Sequence, residues 1–159
     1  MEGARPARPD DVAQLTELAR TAQAELAPMR GGAVYVAREA RPEPLEESFA
    51  ADLDDPSAVV HVGTIDGVVV GYAAGRIESL RDGTRLGVLS ELFVEPGARE
   101  VGVGEAMMAS VLDWFRGSGC AGVDALALPG HRITKNFFEG AGFTARLLVM
   151  HHRLGDADT

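Results

Sequence analysis

One cysteine, Cys120, stands in 159 residues, so no disulfide can form within the chain. Its expected role is that of a small buried apolar residue. Aromatics are scarce at 6%, and only two tyrosines, Tyr35 and Tyr72, are available to acid–base chemistry. Lys135 is the only lysine among 15 basic residues, a bias that a GC-rich, bacterial coding genome would produce. No apolar run approaches the ~20 residues of a membrane span. The start, Met1 to Pro6, carries charges with no apolar core behind them, so no signal peptide is expected. These absences point to a reducing, cytoplasmic setting and no membrane partner. A cationic excess is also missing. With 24 acidic residues the net charge is -9, which argues against nucleic acid as a partner and favours a cationic substrate. His61, His151 and His152 have no ligand partner at a metal-binding spacing, so no metal is expected.

What is present is a core. At 46% hydrophobic residues the chain is long enough for one domain, residues 1–159. Residues 3–8 read as a short strand. Asp10 or Asp11 is placed to cap a helix whose apolar face is Val12, Leu15, Leu18, Ala22 and Leu26. Pro28-Met29-Arg30-Gly31-Gly32 breaks that helix. Residues 28–43 read as a mobile loop with a short strand at Val34-Tyr35-Val36, and residues 44–53 as a second helix. Residues 58–65 form a strand, and Asp66-Gly67 is a hairpin turn whose central positions need positive φ. Val68 to Ile77 returns as its partner, and Asp82-Gly83 turns again. Leu86 to Glu95 is a third strand, stopped by Pro96-Gly97. The period then changes: Val103, Met107, Val111 and Trp114 share a helical face closed by Gly117 and Gly119. Val123 to Leu128 is a strand, Ile133 to Glu139 a helix, and Thr144 to Arg153 a last strand. This order predicts an α/β fold with a mixed sheet.

The chemistry is concentrated in Glu91-Leu92-Phe93-Val94-Glu95-Pro96-Gly97-Ala98-Arg99-Glu100-Val101-Gly102-Val103-Gly104. A strand enters a tight turn, and a glycine-containing loop opens a helix. The helix start offers unpaired N–H groups and the positive end of a dipole. Gly102 and Gly104 let a phosphate approach the backbone, and Arg99 adds a full charge. The features fit a pyrophosphate. There is no Gly-Lys-Ser/Thr, which excludes a P-loop. The glycines follow a β-meander rather than the first strand of a βαβ unit, which disfavours a Rossmann site.

Arg99-x-x-Gly102-x-Gly104 after Leu-x-Val-x-Pro resembles the acyl-CoA signature of the GCN5-related N-acetyltransferases (GNAT). Phe137-Phe138-Glu139-Gly140-Ala141-Gly142-Phe143 resembles that family's second block. The resemblance implies a single-domain, mostly antiparallel, splayed sheet flanked by helices, with acetyl-CoA as co-substrate. It implies that the backbone of Leu92, Phe93 and Val94 pairs with pantetheine, and that the N–H of Phe93 or Val94 polarises the thioester. Arg99, Glu100, Val101, Gly102, Val103 and Gly104 would hold the pyrophosphate. The sheet would splay between the 86–95 and 123–128 strands, where the thioester enters. His131 would touch CoA, and Lys135 with Arg132 would reach its 3′-phosphate. Glu91 would take the proton that an ammonium must lose before it attacks, and backbone donors would hold the oxyanion.

The chain departs from the family at Phe138, where the usual residue is a tyrosine that protonates the leaving thiolate. Tyr35, Tyr72 and His131 are the substitutes available. The expected activity is acetylation of a small-molecule primary amine. A protein N-terminus or lysine is an alternative acceptor, and an acyl-CoA-binding module without turnover is an alternative function. A homodimer is common in the family.

Overall fold

The computed structural model describes residues 1–99 and 101–155. Five strands form one sheet in the order β1-β2-β3-β4-β5: Glu2–Pro6, Ala58–Ile65, Val68–Ser79, Arg85–Val94 and Cys120–Ala125. The first three pairings are antiparallel and β4–β5 is parallel. Between β1 and β2 lie three helices, α1 Val12–Leu26, α2 Gly32–Arg38 and α3 Leu45–Asp54. Helix α4, Val103–Gly117, links β4 to β5, and α5, Arg132–Gly140, follows β5. The β2–β3 hairpin closes at Asp66 (φ 50°) and Gly67 (φ 83°), the positive-φ pair its turn requires.

Helices cover the sheet on both faces. Leu15 and Leu18 of α1 and Phe49 of α3 pack with Val62, Tyr72 and Phe93 on one side. On the other, Val103, Met107, Val111 and Phe115 of α4 pack with Leu89 and Phe138. Those four α4 side chains are fully buried. At ~1.5–3 kcal/mol for each large one, the stripe contributes up to roughly 6–12 kcal/mol, an upper estimate. An isolated helix of this length is marginal in water, so packing is what holds α4 in place. Its stripe runs on to Phe115; Trp114, expected on that face, is only half-buried.

Four expectations need correction. Asp11 precedes α1 but does not cap it. Its carboxylate accepts the Arg8 N–H at 2.7 Å and the Arg5 guanidinium at 2.8 and 3.0 Å instead, and Arg5 holds the acid below its ordinary range. Residues 34–36 are helical, not a strand. The backbone there satisfies itself within the turn: Tyr35 N–H donates to Gly31 C=O at 3.0 Å, and Glu39 N–H to Tyr35 C=O at 2.8 Å. The strand expected at 123–128 is shifted to Cys120–Ala125, because its ladder with β4 ends at Leu89–Ala125. Finally, Thr144 to Arg153 joins no ladder and contains no turn, bend or helix.

Candidate active site

The site grows from the place where β4 and β5 part. Their parallel ladder stops at Leu89–Ala125, yet β4 continues to Val94 beside β3. Ser90 is an extra residue there: Ala74 faces Glu91 while Gly75 faces Leu89. This β-bulge changes which backbone groups face outward. Leu89 C=O still turns to β5, where it accepts Leu126 N–H at 3.3 Å. Beyond the bulge, Glu95 N–H donates to Val70 C=O at 2.8 Å. Alternation then turns the main chain of Phe93 toward Tyr72, and that of Leu92 and Val94 toward the gap. Arg99 agrees with this geometry, since its Nε donates to Val94 C=O at 2.8 Å. The edge donors are therefore those of Leu92 and Val94. Of the two donors expected at the thioester, Phe93 and Val94, Phe93 drops out because β3 already claims that backbone; its side chain lies in the core at 7% exposure.

A cleft opens on this gap. It is lined by Ser90, Glu91, Leu92 and Phe93 of β4, by Leu126 to Leu128 after β5, by His131, Thr134 and Phe138, and by Tyr35, Arg41 and Tyr72. Phe138 is buried against Phe143, with ring centroids 5.5 Å apart. His131 sits at the mouth of α5, its Nδ1 2.7 Å from Thr134 Oγ1 and its Nε2 3.5 Å from a Glu25 oxygen.

Glu91 lies on the floor. Its carboxylate accepts from Arg41 Nε at 3.3 Å, from an Arg41 terminal nitrogen at 2.8 Å and from the Tyr72 hydroxyl at 2.9 Å. A carboxylate offers about four lone-pair sites, so one is left for a water or an ammonium. Arg41 also donates to Asp52 at 2.7 Å and Ser48 at 3.0 Å, and its guanidinium lies 3.9 Å from the Phe49 ring centroid. Burial opposes its charge, but Glu91 and then Asp52 outweigh it, so its proton is held more tightly than usual. Burial and the Glu91 charge push Tyr35 up to about 12 and Tyr72 well above the phenol range. Both hydroxyls keep their protons at neutral pH.

Arg41 was not legible as a site residue. It stands in a proline-flanked stretch without periodicity, and only the fold carries it under β4. The same holds for Glu25, which reaches from α1 to Arg99 at 2.8 Å. Arg99, expected on the pyrophosphate, spends its guanidinium on Glu25 and Val94 and lies 5.4 Å from the Phe93 ring centroid.

A second groove joins the first at Ala40, Arg41, Ser90 and Glu91. Glu39, Glu43, Glu47, Asp52 and Glu91 line it against two guanidiniums, Arg41 and Arg76. Glu47 has no ion-pair partner among the described residues. The excess of carboxylates would draw in a polycation.

The helix start at α4 is built as the motif suggested. Gly102 is its N-cap at φ 88°, a conformation an L side chain adopts at a cost. The first helical bond runs from Ala106 N–H to Gly102 C=O at 3.1 Å. The N–H groups ahead of it have no intrahelical acceptor. Val101 is exposed, and a Cβ on Gly104 would stand 3.2 Å from the Phe137 ring. Lys135 and Arg132 are exposed at the start of α5. Glu100 lies outside the described residues. Among those residues no group of three or more His, Cys, Asp or Glu is placed to hold a metal, and no helix is long and apolar enough to cross a membrane.

Comparison with known proteins adds three findings. Residues 18–143 match the acetyltransferase (GNAT) family. An aminoglycoside N(6')-acetyltransferase type 1 from Stenotrophomonas maltophilia is 35% identical over 82 residues, which is 49% of this chain and 54% of that protein; the match thus spans about half of the relative. Among solved structures, the aminoglycoside acetyltransferase AAC(6')-Iy in complex with the bisubstrate analog CoA-S-monomethyl-acetylneamine superposes with a TM-score of 0.75 at 19% identity, covering 98% of this chain and 99% of that one. A tetramutant of the Bacillus halodurans protein BH1408 gives 0.80 at 16% identity, covering 95% and 99%. At such identities these two structures speak for the fold alone.

Proposed function

Because the chain belongs to the acetyltransferase (GNAT) family, we propose that it transfers the acetyl group of acetyl-CoA to a primary amine on a small polycationic molecule. One observation carries the reading: the open edge of β4 and the acidic groove meet at Glu91. The name of the Stenotrophomonas maltophilia relative, an aminoglycoside acetyltransferase, supports an acceptor of that kind. Residues 1–159 act in this reading as one acyl-CoA N-acyltransferase domain, cytoplasmic and without a metal, and two such chains form a homodimer.

The pyrophosphate of acetyl-CoA rests on the free N–H groups ahead of Ala106, which need no side chain to bind it. Arg99, Lys135 and Arg132 supply positive charge around it. Pantetheine lies along the edge that β5 vacates, bonding to Leu92 and Val94 as another strand would. The acetyl carbonyl then meets the N–H of Leu92 or Val94, a fixed donor aimed where negative charge develops.

The acceptor enters as an ammonium, held by the carboxylates of the groove. Glu91 takes one proton through its remaining lone pair, directly or by a water. The neutral nitrogen attacks the thioester carbon; a C–N bond forms and the carbonyl electrons move to oxygen. Collapse breaks the C–S bond, and the pair leaves on sulfur as thiolate. The other ammonium proton departs with the product amide's formation, and the thiolate takes up one proton. Phe138 has none to give, and Tyr35 and Tyr72 hold theirs tightly. His131, in the same cleft, is the donor this arrangement favours.

Thiol release with acetyl-CoA and a panel of amines, including polycations, neutral amines and a lysine peptide, tests the proposal, with products identified by mass spectrometry. Polycationic amines are expected to turn over fastest, less so as salt rises. CoA binding without turnover on any amine would overturn it in favour of a binding module; turnover only on the peptide would favour a protein acceptor.

A further inference from the structure

The guanidinium beneath Glu91 is held by more than an ion pair needs. Arg41 stands between α2 and α3, and its side chain is 4% exposed. Helix α3 turns one patch toward it. Ser48 and Phe49 come four and three residues before Asp52, so the three share one part of the helix surface. One terminal nitrogen of Arg41 donates to Ser48 Oγ at 3.0 Å and to Asp52 Oδ2 at 2.7 Å, and Phe49 lies under the fork with its ring centroid 3.9 Å away. From α1, Gln23 Nε2 donates to Arg41 C=O at 3.3 Å. On the outer side Arg76 of β3 donates to Asp52 Oδ1 at 3.0 Å. Backbone, plane and one edge of the guanidinium are each fixed by a different partner.

Stability is a poor reason for this construction. Taking two charges out of water costs about what their attraction returns, and apolar residues of similar volume often hold a fold as well. What apolar packing cannot supply is direction. The other edge of the fork meets both oxygens of Glu91: Nε donates to Oε1 at 3.3 Å, and the second terminal nitrogen to Oε2 at 2.8 Å. Paired bonds of this kind set the orientation of a carboxylate as well as its place. The Tyr72 hydroxyl donates to Oε1 at 2.9 Å. Oε1 thus accepts two bonds and Oε2 one. At about two lone-pair sites per oxygen, the open site is on Oε2.

We infer that Arg41 is a positioning residue for the acyl transfer: it clamps Glu91 so that Oε2 alone stays open to the acceptor, and the Ser48-Phe49-Asp52 patch of α3 aims the clamp. The inference rests on the reading of Glu91 as the base. The proton passes from the acceptor ammonium to Oε2, directly or by a water, and the N–H bonding pair stays on nitrogen. Arg41 gives up no proton and acts only through Glu91. A lysine in its place keeps the charge but has no fork, so the carboxylate is free to turn. Misplacing a reacting group by about 1 Å can cost ~10²-fold in rate.

The test compares the native chain, Arg41→Lys, Glu91→Gln and the double variant by thiol release at saturating acetyl-CoA. In Arg41→Lys kcat should fall by ~10–100-fold with KM for acetyl-CoA unchanged. In the Glu91→Gln background the same replacement should cost no further turnover, because a residue that acts through another loses its effect once that other is gone. An equal loss in both backgrounds overturns the inference, and so does native kcat in Arg41→Lys while Glu91→Gln is slow. Should Arg41→Lys fail to fold, Ser48→Ala replaces it: this variant removes one bond from the clamp and none from Glu91. Its kcat should fall several-fold in the native background and not at all beside Glu91→Gln; an equal fall in both again overturns the inference. Native turnover in Glu91→Gln would instead remove the base, and the clamp with it. A native chain that turns over no amine would overturn the whole acetyltransferase reading.

Discussion

Replacing Glu91 by Gln tests the centre of the proposed mechanism, and the structure sets two magnitudes that can be measured apart. The first is stability. The Arg41 side chain is 4% exposed and that of Glu91 13%, so two charges are held out of water. Breaking a buried pair outright costs about 3–5 kcal/mol. Here the loss is smaller. Arg41 keeps Asp52 at 2.7 Å, and the amide oxygen of Gln can still accept from Tyr72. A loss of ~2 kcal/mol is expected, within the 1.5–3 assigned to hydrogen bonds with charged groups. Against the roughly 8–15 kcal/mol of a chain this size, the variant stays folded, with Tm lower by ~4–8 °C. The second magnitude is turnover. A lost general base lowers kcat by ~10²–10⁴-fold, while CoA, proposed to bind at the helix start and β4 edge, should keep its affinity. The assay is thiol release at saturating acetyl-CoA across pH, with calorimetry for CoA and scanning fluorimetry for Tm. Wild-type turnover at every pH together with a lowered Tm would refute the reasoning, leaving Glu91 as the counter-ion of Arg41 alone.

Three further outcomes are expected. Gly102→Val places a branched side chain at φ 88°, which costs on the order of 1–2 kcal/mol; CoA affinity measured on the folded variant should fall, and an unchanged value would remove this helix start as the pyrophosphate site. Phe138→Tyr puts a hydroxyl into the cleft that Phe138 lines, and thiol release should rise if protonation of the thiolate limits the rate; robust native turnover that the change leaves unaltered would show that it does not. His61 is kept below 6.5 by burial, with Nδ1 2.6 Å from Ser110 Oγ. Its folded value is depressed, so the unfolded chain binds its proton first. The resulting stability is present above pH 6.5 and is lost as pH falls through the folded value. Denaturant midpoints from neutral to about pH 5 should therefore drop more steeply for the native chain than for His61→Gln, and parallel curves would sink the assignment.

Much of the site was legible because its physics is local. A proline-stopped strand, a glycine that must take positive φ and a helix start with free N–H groups all lie within residues 91–104, and each makes its demand over a few residues. The second block, around Phe138, came into view the same way. Arg41 and Glu25 were not legible, because their partners are 50 and 74 residues away and no periodicity marks them. The direction of the β4 backbone was missed for a related reason. A bulge at Ser90 is a property of the β3–β4 pairing; of the two expected donors, Phe93 and Val94, it leaves Val94 facing outward, with Leu92 beside it.

The sequence by itself determined the α4 stripe, the Asp66-Gly67 turn, the order of strands and helices from residue 58 to residue 140 and the place of the glycine-rich loop. Hydrophobic period and turn chemistry are written in adjacent residues. Only the tertiary structure decided that 34–36 is helix and that 144–153 joins no ladder among the described residues, since whether a β-branched or apolar run becomes a strand depends on which distant backbone the fold sets beside it. It alone decided that β4 and β5 part after Leu89. It also set Glu91 against a buried guanidinium, because an ion pair in the interior depends on which distant elements the fold brings together.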